Sequence, residues 1–171
     1  MKPFRAARSG ELVARLEAAE AGILGLLLDQ LEQLLTADPD DAGGDPVVER
    51  LLPPGHASDP DLAAEYRDLT ESALREGKAD DLALVRATLP PQGGEVRLDD
   101  EQARAWLRTT NDLRLALGTR LGITAETEPP EIDASGDAAG EEGSQLTVYY
   151  WLTAVQGSLV DALAAGRGAR R

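Results

Sequence analysis

The chain has 171 residues, no cysteine, one histidine and a formal net charge of −14 at pH 7. These totals exclude disulfides, thiol catalysis and any metal site built from thiolates or from several histidines. The negative charge also disfavours binding to nucleic acid, which depends on Lys and Arg displacing counterions from phosphates, so direct DNA contact would require a strongly segregated basic face.

Hydrophobic residues make up 42% of the chain but aromatic residues only 4%. Leu and Ala must therefore fill the core, which favours helices over sheets. The length and the lack of an internal repeat predict one domain. The longest apolar run, at 23–28, is shorter than the roughly 20 residues of a membrane span, and no secretory signal is visible at the N-terminus. We expect a cytoplasmic protein with no membrane contact.

Residues 3–16 are compatible with two local structures. Ser9 can cap a helix that begins near Gly10, or the two residues can form the turn of a β-hairpin with apolar side chains at alternate positions. The hairpin is favoured because 93–101 shows a similar pattern of turn, short strand and helix start. A third strand at 95–98 would stabilise a hairpin that is marginal alone.

Apolar residues at helical spacing predict helices for most of the remaining chain. The predicted helices are Glu17–Leu35, a single turn at Val47–Leu52, Asp59 to about Arg75, Asp80 to Leu89, Asp100–Leu121 and Gln145–Ala165. Gly77 is expected to end the third helix, whose residues Ala73 and Leu74 are predicted to be buried. Acids, glycines and prolines predict mobile acidic loops at 37–46 and 123–145.

These elements together predict a mostly α fold. It would be one domain spanning 1–171, a bundle of about five helices with a small N-terminal β-hairpin or three-stranded sheet. The helix that contains Trp106–Gly122 is expected to lie at its centre, because apolar and polar residues are both dense there. Gly118 would leave a groove near the end of this helix, and Gly122 would stop it.

Two interpretations apply to the polar residues of this central helix. Asn111, Asp112 and Arg114 are expected to form a buried or half-buried network that fixes the helix against its neighbours. The functional alternative is a partner-binding arginine patch formed by Arg108, Arg114 and Arg120.

Three consecutive aromatic residues, Tyr149, Tyr150 and Trp151, cannot all face the core of one helix. At least one of them is expected to be exposed, and an exposed aromatic side chain there would suit a protein contact. Tyr150 and Trp151 are therefore candidate partner-binding residues.

The sequence contains no recognisable catalytic or metal-binding pattern. His56 has no second ligand nearby in the sequence, so it is expected to be a surface loop residue. No phosphate-binding loop, calcium loop or nucleophile elbow is present. We therefore predict no catalytic residue, no cofactor and no metal, and a protein that is not an enzyme.

Four segments carry a family resemblance: Arg50–Pro53, Glu65–Thr70, Trp106–Gly122 and Val148–Thr153. In this order they resemble the actinobacterial AosR family, over nearly the whole chain outside the two acidic loops. The resemblance implies a cytoplasmic, mostly helical protein that regulates transcription under oxidative stress by contacting a sigma factor. The redox response of the characterised type depends on a Cys-x-x-x-Cys pair, which this chain lacks, so a thiol switch within it is excluded.

Two functional hypotheses follow. The first is a non-enzymatic regulator that binds a protein partner, such as a sigma factor or another transcription component, through an acidic surface. The alternative is a small-ligand-binding helical domain with a pocket beside Arg108, Arg114 and Arg120, or an adaptor linked to Clp proteolysis. Neither hypothesis includes direct contact with nucleic acid, and both leave a homodimer open.

Overall fold

The computed structural model describes residues 1–37, 44–53, 60–129 and 140–168, with the backbone alone for 60–69, 140–142 and 167–168. Within these ranges the chain forms a helical bundle with a small N-terminal sheet, which confirms the predicted fold class. The strands are β1 (Lys2–Ala6), β2 (Leu12–Leu16) and β3 (Gly94–Leu98). The helices are α1 (Ala18–Thr36), α2 (Pro46–Leu51), α3 (Pro60–Thr88), α4 (Asp100–Arg120) and α5 (Gly140–Gly168).

The sheet is antiparallel, in the order β1-β2-β3. A tight turn joins β1 to β2, in which the Gly10 amide donates to the Ala7 carbonyl at 3.0 Å and Gly10 has a φ of +89°. The left-handed conformation explains why glycine occupies this position. Alternate residues of β2 and β3 point into the core. The hairpin with a third strand is thus the correct alternative for residues 3–16.

Helix α4 lies at the centre, in contact with α1, α2, α3 and α5. Trp106 is buried on it, makes an edge-to-face contact with Phe4, and donates its indole N–H to Thr88 Oγ1 at 2.7 Å. The helix begins with a reciprocal cap, because the Asp99 side chain accepts from the Gln102 amide while the Gln102 side chain accepts from the Asp99 amide. The predicted central position and start are confirmed.

Two helix boundaries differ from the prediction. Helix α3 runs without a break from Pro60 to Thr88, so Gly77 does not end a helix. A glycine inside a helix costs only about 1 kcal/mol relative to Ala, which tertiary contacts on either side of it outweigh. Ala73 and Leu74 were predicted to be buried but are exposed. Helix α5 begins at Gly140, earlier than about Gln145.

The two predicted acidic loops are described only in part. Residues 38–43 and 130–139 lie outside the described ranges, as do 54–59 with His56. The described start of the second loop is hydrogen-bonded, since the Tyr150 hydroxyl donates to the Thr127 carbonyl at 2.8 Å. The mobility of both loops stays a prediction. Among the described helices, none combines the length and apolarity that a membrane crossing requires.

Candidate functional site

An open groove lies over the middle of α4, between α3 and α5. Its volume is about 800 Å³, and grooves of this size hold either a small molecule or side chains of a protein partner. Residues from three helices line it, including Leu74, Gly77 and Lys78 of α3, Leu107, Arg108, Asn111 and Asp112 of α4, and Gln156 and Val160 of α5. It is larger than a groove of about 550 Å³ beside the β1–β2 turn and another of about 270 Å³ between α1 and the start of α5.

A buried ion pair lies in this groove. Lys78 Nζ donates to Oδ1 of Asp112 at 2.7 Å and to Oδ2 at 2.8 Å. Burial raises the pKa of the Asp112 carboxyl, and the hydrogen bonds from Lys78 and its positive charge oppose this shift in part. The pair joins α3 to α4 and neutralises both charges within the groove.

A second ion pair connects the same two helices. Arg108 binds Asp81 in a bidentate manner, with Nε donating to Oδ2 and Nη2 to Oδ1, both at 2.6 Å. The hydrogen bond to Asp81 raises the pKa of Arg108 further above its already high value. Asp80 also lines the groove, and its carboxylate makes no hydrogen bond or ion pair with any described residue. The groove therefore presents one free carboxylate beside two neutralised pairs.

Arg114 is held by neutral groups of α5 rather than by a carboxylate. Its Nε donates to Thr153 Oγ1 at 3.0 Å, its Nη2 donates to the Tyr149 hydroxyl at 3.3 Å, and its Nη1 donates to Gln156 Oε1. The guanidinium carbon also lies 5.3 Å from the centre of the Tyr149 ring. Gln156 in turn donates to Asn111 Oδ1 at 3.2 Å. This network fastens α4 to α5.

The sequence prediction of one Asn111–Asp112–Arg114 network is therefore wrong in its pairing. Asn111 and Arg114 do share a network through Gln156, but Asp112 faces α3 rather than α5 and pairs with Lys78. Residues 111 and 112 are 100° apart around a helix, so they contact different neighbours.

The three candidate arginines likewise do not form one patch. Arg108 faces α3, Arg114 faces α5, and Arg120 lies at the end of α4 beside Leu27 and Gln145. The Arg120 guanidinium makes no hydrogen bond or ion pair with the described residues. Of these arginines, Arg108 lines the groove and the other two do not.

The three consecutive aromatic residues are all half-buried, so the expectation that at least one is exposed is wrong. Tyr149 lies against Arg114, and the Tyr150 hydroxyl is bound to the backbone of Thr127. Trp151 packs against the core, with its indole N–H buried and without a partner among the described residues. None of the three offers a large exposed ring for a partner.

The exposed apolar groups of the groove belong instead to Leu74 and Val160, which are 37% and 49% exposed. Between the walls, Gly77 leaves space, since a Cβ built there would meet nothing within 4 Å. Sequence reasoning missed these residues because it assigned Leu74 to the core and Gly77 to a helix end. The helical spacing of apolar and charged residues continues without a break on both sides of Gly77. This is the sequence signal that could have corrected both assignments.

Metal binding finds no support in the part of the chain that the structure describes. No group of three or more His, Cys, Asp or Glu side chains in it could hold a metal ion. His56 lies outside the described residues.

Comparisons with known proteins relate the whole chain to one family. A family model described as a domain of unknown function (DUF2017) matches residues 1–163. A relative from Mycobacterium leprae is 32% identical over 185 residues, which cover 95% of this chain and 83% of that protein. Relatives from Mycobacterium bovis and Mycobacterium tuberculosis, each named oxidative stress regulator AosR, are 30% identical and cover 96% of this chain and 84% of their own length. No solved structure matches.

Proposed function

The chain belongs to the family described as a domain of unknown function (DUF2017), and from this premise we propose that it is a non-enzymatic regulator of the oxidative stress response. The observation that carries the proposal is its similarity to proteins named oxidative stress regulator AosR along 96% of its length. A similarity of this extent includes the helices that form the groove as well as the core.

We propose that the regulator binds a protein partner and that the partner binds in the groove over α4. Leu74 and Val160 expose apolar side chains on opposite walls, where their burial by a partner would be favourable. The polar groups between them are largely paired within the chain, so a partner need not desolvate isolated charges. Gly77 supports the same interpretation. A Cβ at this position would meet none of the described residues, so packing within them does not require a glycine here.

The partner we propose is a sigma factor or another component of the transcription apparatus, in the cytoplasm. The net charge of −14 would speed its encounter with a basic partner surface. Because these 171 residues contain no cysteine, oxidation cannot close a disulfide within them. An oxidant would therefore act on this regulator indirectly, either by changing its partner or by changing the amount of the regulator in the cell.

The stress role can be tested in the native host by deleting the gene and challenging the cells with hydrogen peroxide. We expect the deletion strain to survive less well and the wild-type gene to restore survival. A Leu74→Asp/Val160→Asp double variant should not restore it, whereas Leu26→Asp should, because Leu26 is 65% exposed on α1 and lies outside the groove. Unchanged survival of the deletion strain would refute the stress role.

The contact itself is tested by pairwise two-hybrid assays between this chain and each sigma factor and RNA polymerase subunit of the host. We expect one pair to interact and the Leu74→Asp/Val160→Asp variant to weaken that interaction at least about tenfold, as loss of two interface anchors typically does. Equal interaction of the wild type, the groove variant and the Leu26→Asp control would exclude the groove as the contact surface.

A small-ligand site is the second candidate, favoured by the groove volume of about 800 Å³ and by the buried Lys78–Asp112 pair. A thermal-shift screen of metabolites against the wild type and Asp112→Asn would detect it. A ligand that stabilises the wild type and not the variant would favour this candidate over a protein partner.

A further inference from the structure

The solvent face of the three-stranded sheet is basic, although the chain as a whole is acidic. Strand pairing places Arg5, Val13 and Arg97 side by side, and in the neighbouring row Lys2, Arg15 and Glu95. The four cationic side chains are all exposed. Alternate residues of the same strands point inward and form part of the core.

The charge on this sheet face is segregated from the rest of the molecule. Lys2, Arg5, Arg15 and Arg97 face two acids, Glu95 and Glu11, so the face has a net charge of +2 in a chain of net charge −14. Both acids contact the same base, since Arg97 lies 2.8 Å from Glu95 and 3.6 Å from Glu11. Of the other three cations, Arg15 has Glu95 opposite it on β3, whereas the strand partners of Lys2 and Arg5 are not acidic.

The side chains of these three cations are unpaired, and two of them repel each other. The side chains of Lys2, Arg5 and Arg15 form no hydrogen bond or ion pair with any described residue. Lys2 and Arg15 are directly opposite each other on paired strands, and like charges in that position repel and destabilise the pair. Glu95, opposite Arg15 on β3, offsets this repulsion in part, but its carboxylate forms its ion pair with Arg97 at 2.8 Å. An acidic ligand from outside the described chain would offset the remainder.

We propose that this basic sheet face binds a short acidic segment of a partner protein. Guanidinium groups pair with carboxylates through two parallel hydrogen bonds, and three of the four cations are arginines. Side chains on one face of a strand repeat about every 7 Å, as do alternate side chains of an extended peptide. Carboxylates at alternate peptide positions thus match the spacing of the cations.

An acidic peptide suits this face better than a long polyanion does. Val13 is the only apolar side chain in the two rows and is half-buried, so binding must be mainly electrostatic. A nucleic acid duplex would bring its phosphates against the acidic remainder of the chain as well, and that repulsion opposes binding. A short peptide keeps its charge over the sheet. The site is separate from the groove over α4 and does not depend on the function proposed for it.

The test measures the fluorescence anisotropy of a labelled hexaglutamate peptide titrated with the full chain. We expect saturable binding at about 20 mM salt that weakens at least about tenfold at 300 mM, because salt screens exposed charges. An Arg5→Gln/Arg15→Gln double variant should bind at least about fivefold more weakly at low salt. The matched control is Arg104→Gln/Arg120→Gln, which removes the same charge from α4 and should bind like the wild type.

Melting temperatures separate loss of binding from loss of folding. Arg15→Gln should melt close to the temperature of the wild type, because it removes both the repulsion from Lys2 and the attraction to Glu95 on the neighbouring strands. Absence of binding at 20 mM salt would overturn the proposal, and so would an equal loss in the α4 control. A 20-base-pair DNA duplex that binds more tightly than the peptide would also overturn it and assign the face to nucleic acid.

Discussion

Gly118 on α4 and Tyr149 on α5 approach so closely that a Cβ built on Gly118 would lie 3.1 Å from Cε2 of the tyrosine ring. This approach lets the ring lie beside the Arg114 guanidinium, which binds three side chains of α5. The same glycine accepts a hydrogen bond from the Ile123 amide at 2.8 Å as the chain leaves α4. One residue without a side chain thus shapes both the helix contact and the helix end.

Replacing this glycine should loosen the α4–α5 contact. We predict that Gly118→Val lowers the free energy of unfolding by about 1–3 kcal/mol, because overpacking displaces the Tyr149 ring. Urea denaturation measures it. Gly157→Ala on α5 is the control: a Cβ there meets nothing within 4 Å, so stability should rise by up to about 1 kcal/mol. Equal unfolding midpoints for Gly118→Val and the wild type would contradict the close contact.

Removing the buried carboxylate of the groove should cost more than removing an exposed one. We predict that Asp112→Ala lowers the free energy of unfolding by about 2–3 kcal/mol, since Lys78 loses a charged hydrogen-bond partner in a partly buried place. Glu95→Ala, which breaks an exposed pair with Arg97, should cost less than about 1 kcal/mol. Equal costs in urea denaturation would show that burial does not strengthen the Lys78–Asp112 pair.

The raised pKa of Asp112 predicts a specific pH dependence of stability. Between the ordinary value of 3.8 and the raised value in the folded state, the folded chain retains a proton that the unfolded chain has released. The contribution of this residue is thus fully present below the ordinary value and is lost as pH rises through the folded pKa.

Asp112→Asn lacks this titration and serves as the reference. The free energy of unfolding of the wild type, minus that of the variant, should fall as pH rises from the ordinary value of 3.8 through the raised folded pKa. Urea denaturation of both proteins at several pH values measures the difference. A difference that grows with pH would mean that Lys78 lowers the pKa more than burial raises it.

Gly77 should behave as a residue that stability does not require. We predict that Gly77→Ala raises the free energy of unfolding by up to about 1 kcal/mol, because alanine is the better helix former and its methyl group meets open space. The same change narrows the groove and should weaken binding of the partner found by the two-hybrid assays. A stability loss would show that the glycine has a structural role in α3.

Gly93, unlike Gly77, should be required for stability. It has a φ of +75°, and a Cβ there would lie 2.7 Å from the backbone nitrogen of Ala18. We predict that Gly93→Ala lowers the free energy of unfolding by more than about 1 kcal/mol, because both the backbone conformation and the contact oppose a side chain. Thermal denaturation of the two glycine variants, followed by circular dichroism, should give shifts of opposite sign.

Local signals in the sequence were sufficient for most of the secondary structure. The helix start expected near Asp100 and the apolar spacing beyond it predicted α4, and alternation around the Ser9-Gly10 turn predicted the hairpin. The same kind of signal was misleading at Gly77. Glycine disfavours a helix by only a modest free energy, and the prediction treated it as sufficient to end the helix. The backbone preference of one glycine is about 1 kcal/mol, and the neighbours that outweigh it are distant in the sequence.

The sequence by itself determined the helical class, the hairpin, the central place of Trp106 and the exclusion of thiol chemistry. The tertiary structure alone decided which charges are paired: Asp112 with Lys78, Arg108 with Asp81, and Arg114 with neutral groups of α5. It also decided where the groove opens and that the sheet face is basic. Helix and strand periods are local properties of the chain, whereas a charge acquires its partner only when segments more than 25 residues apart are packed together.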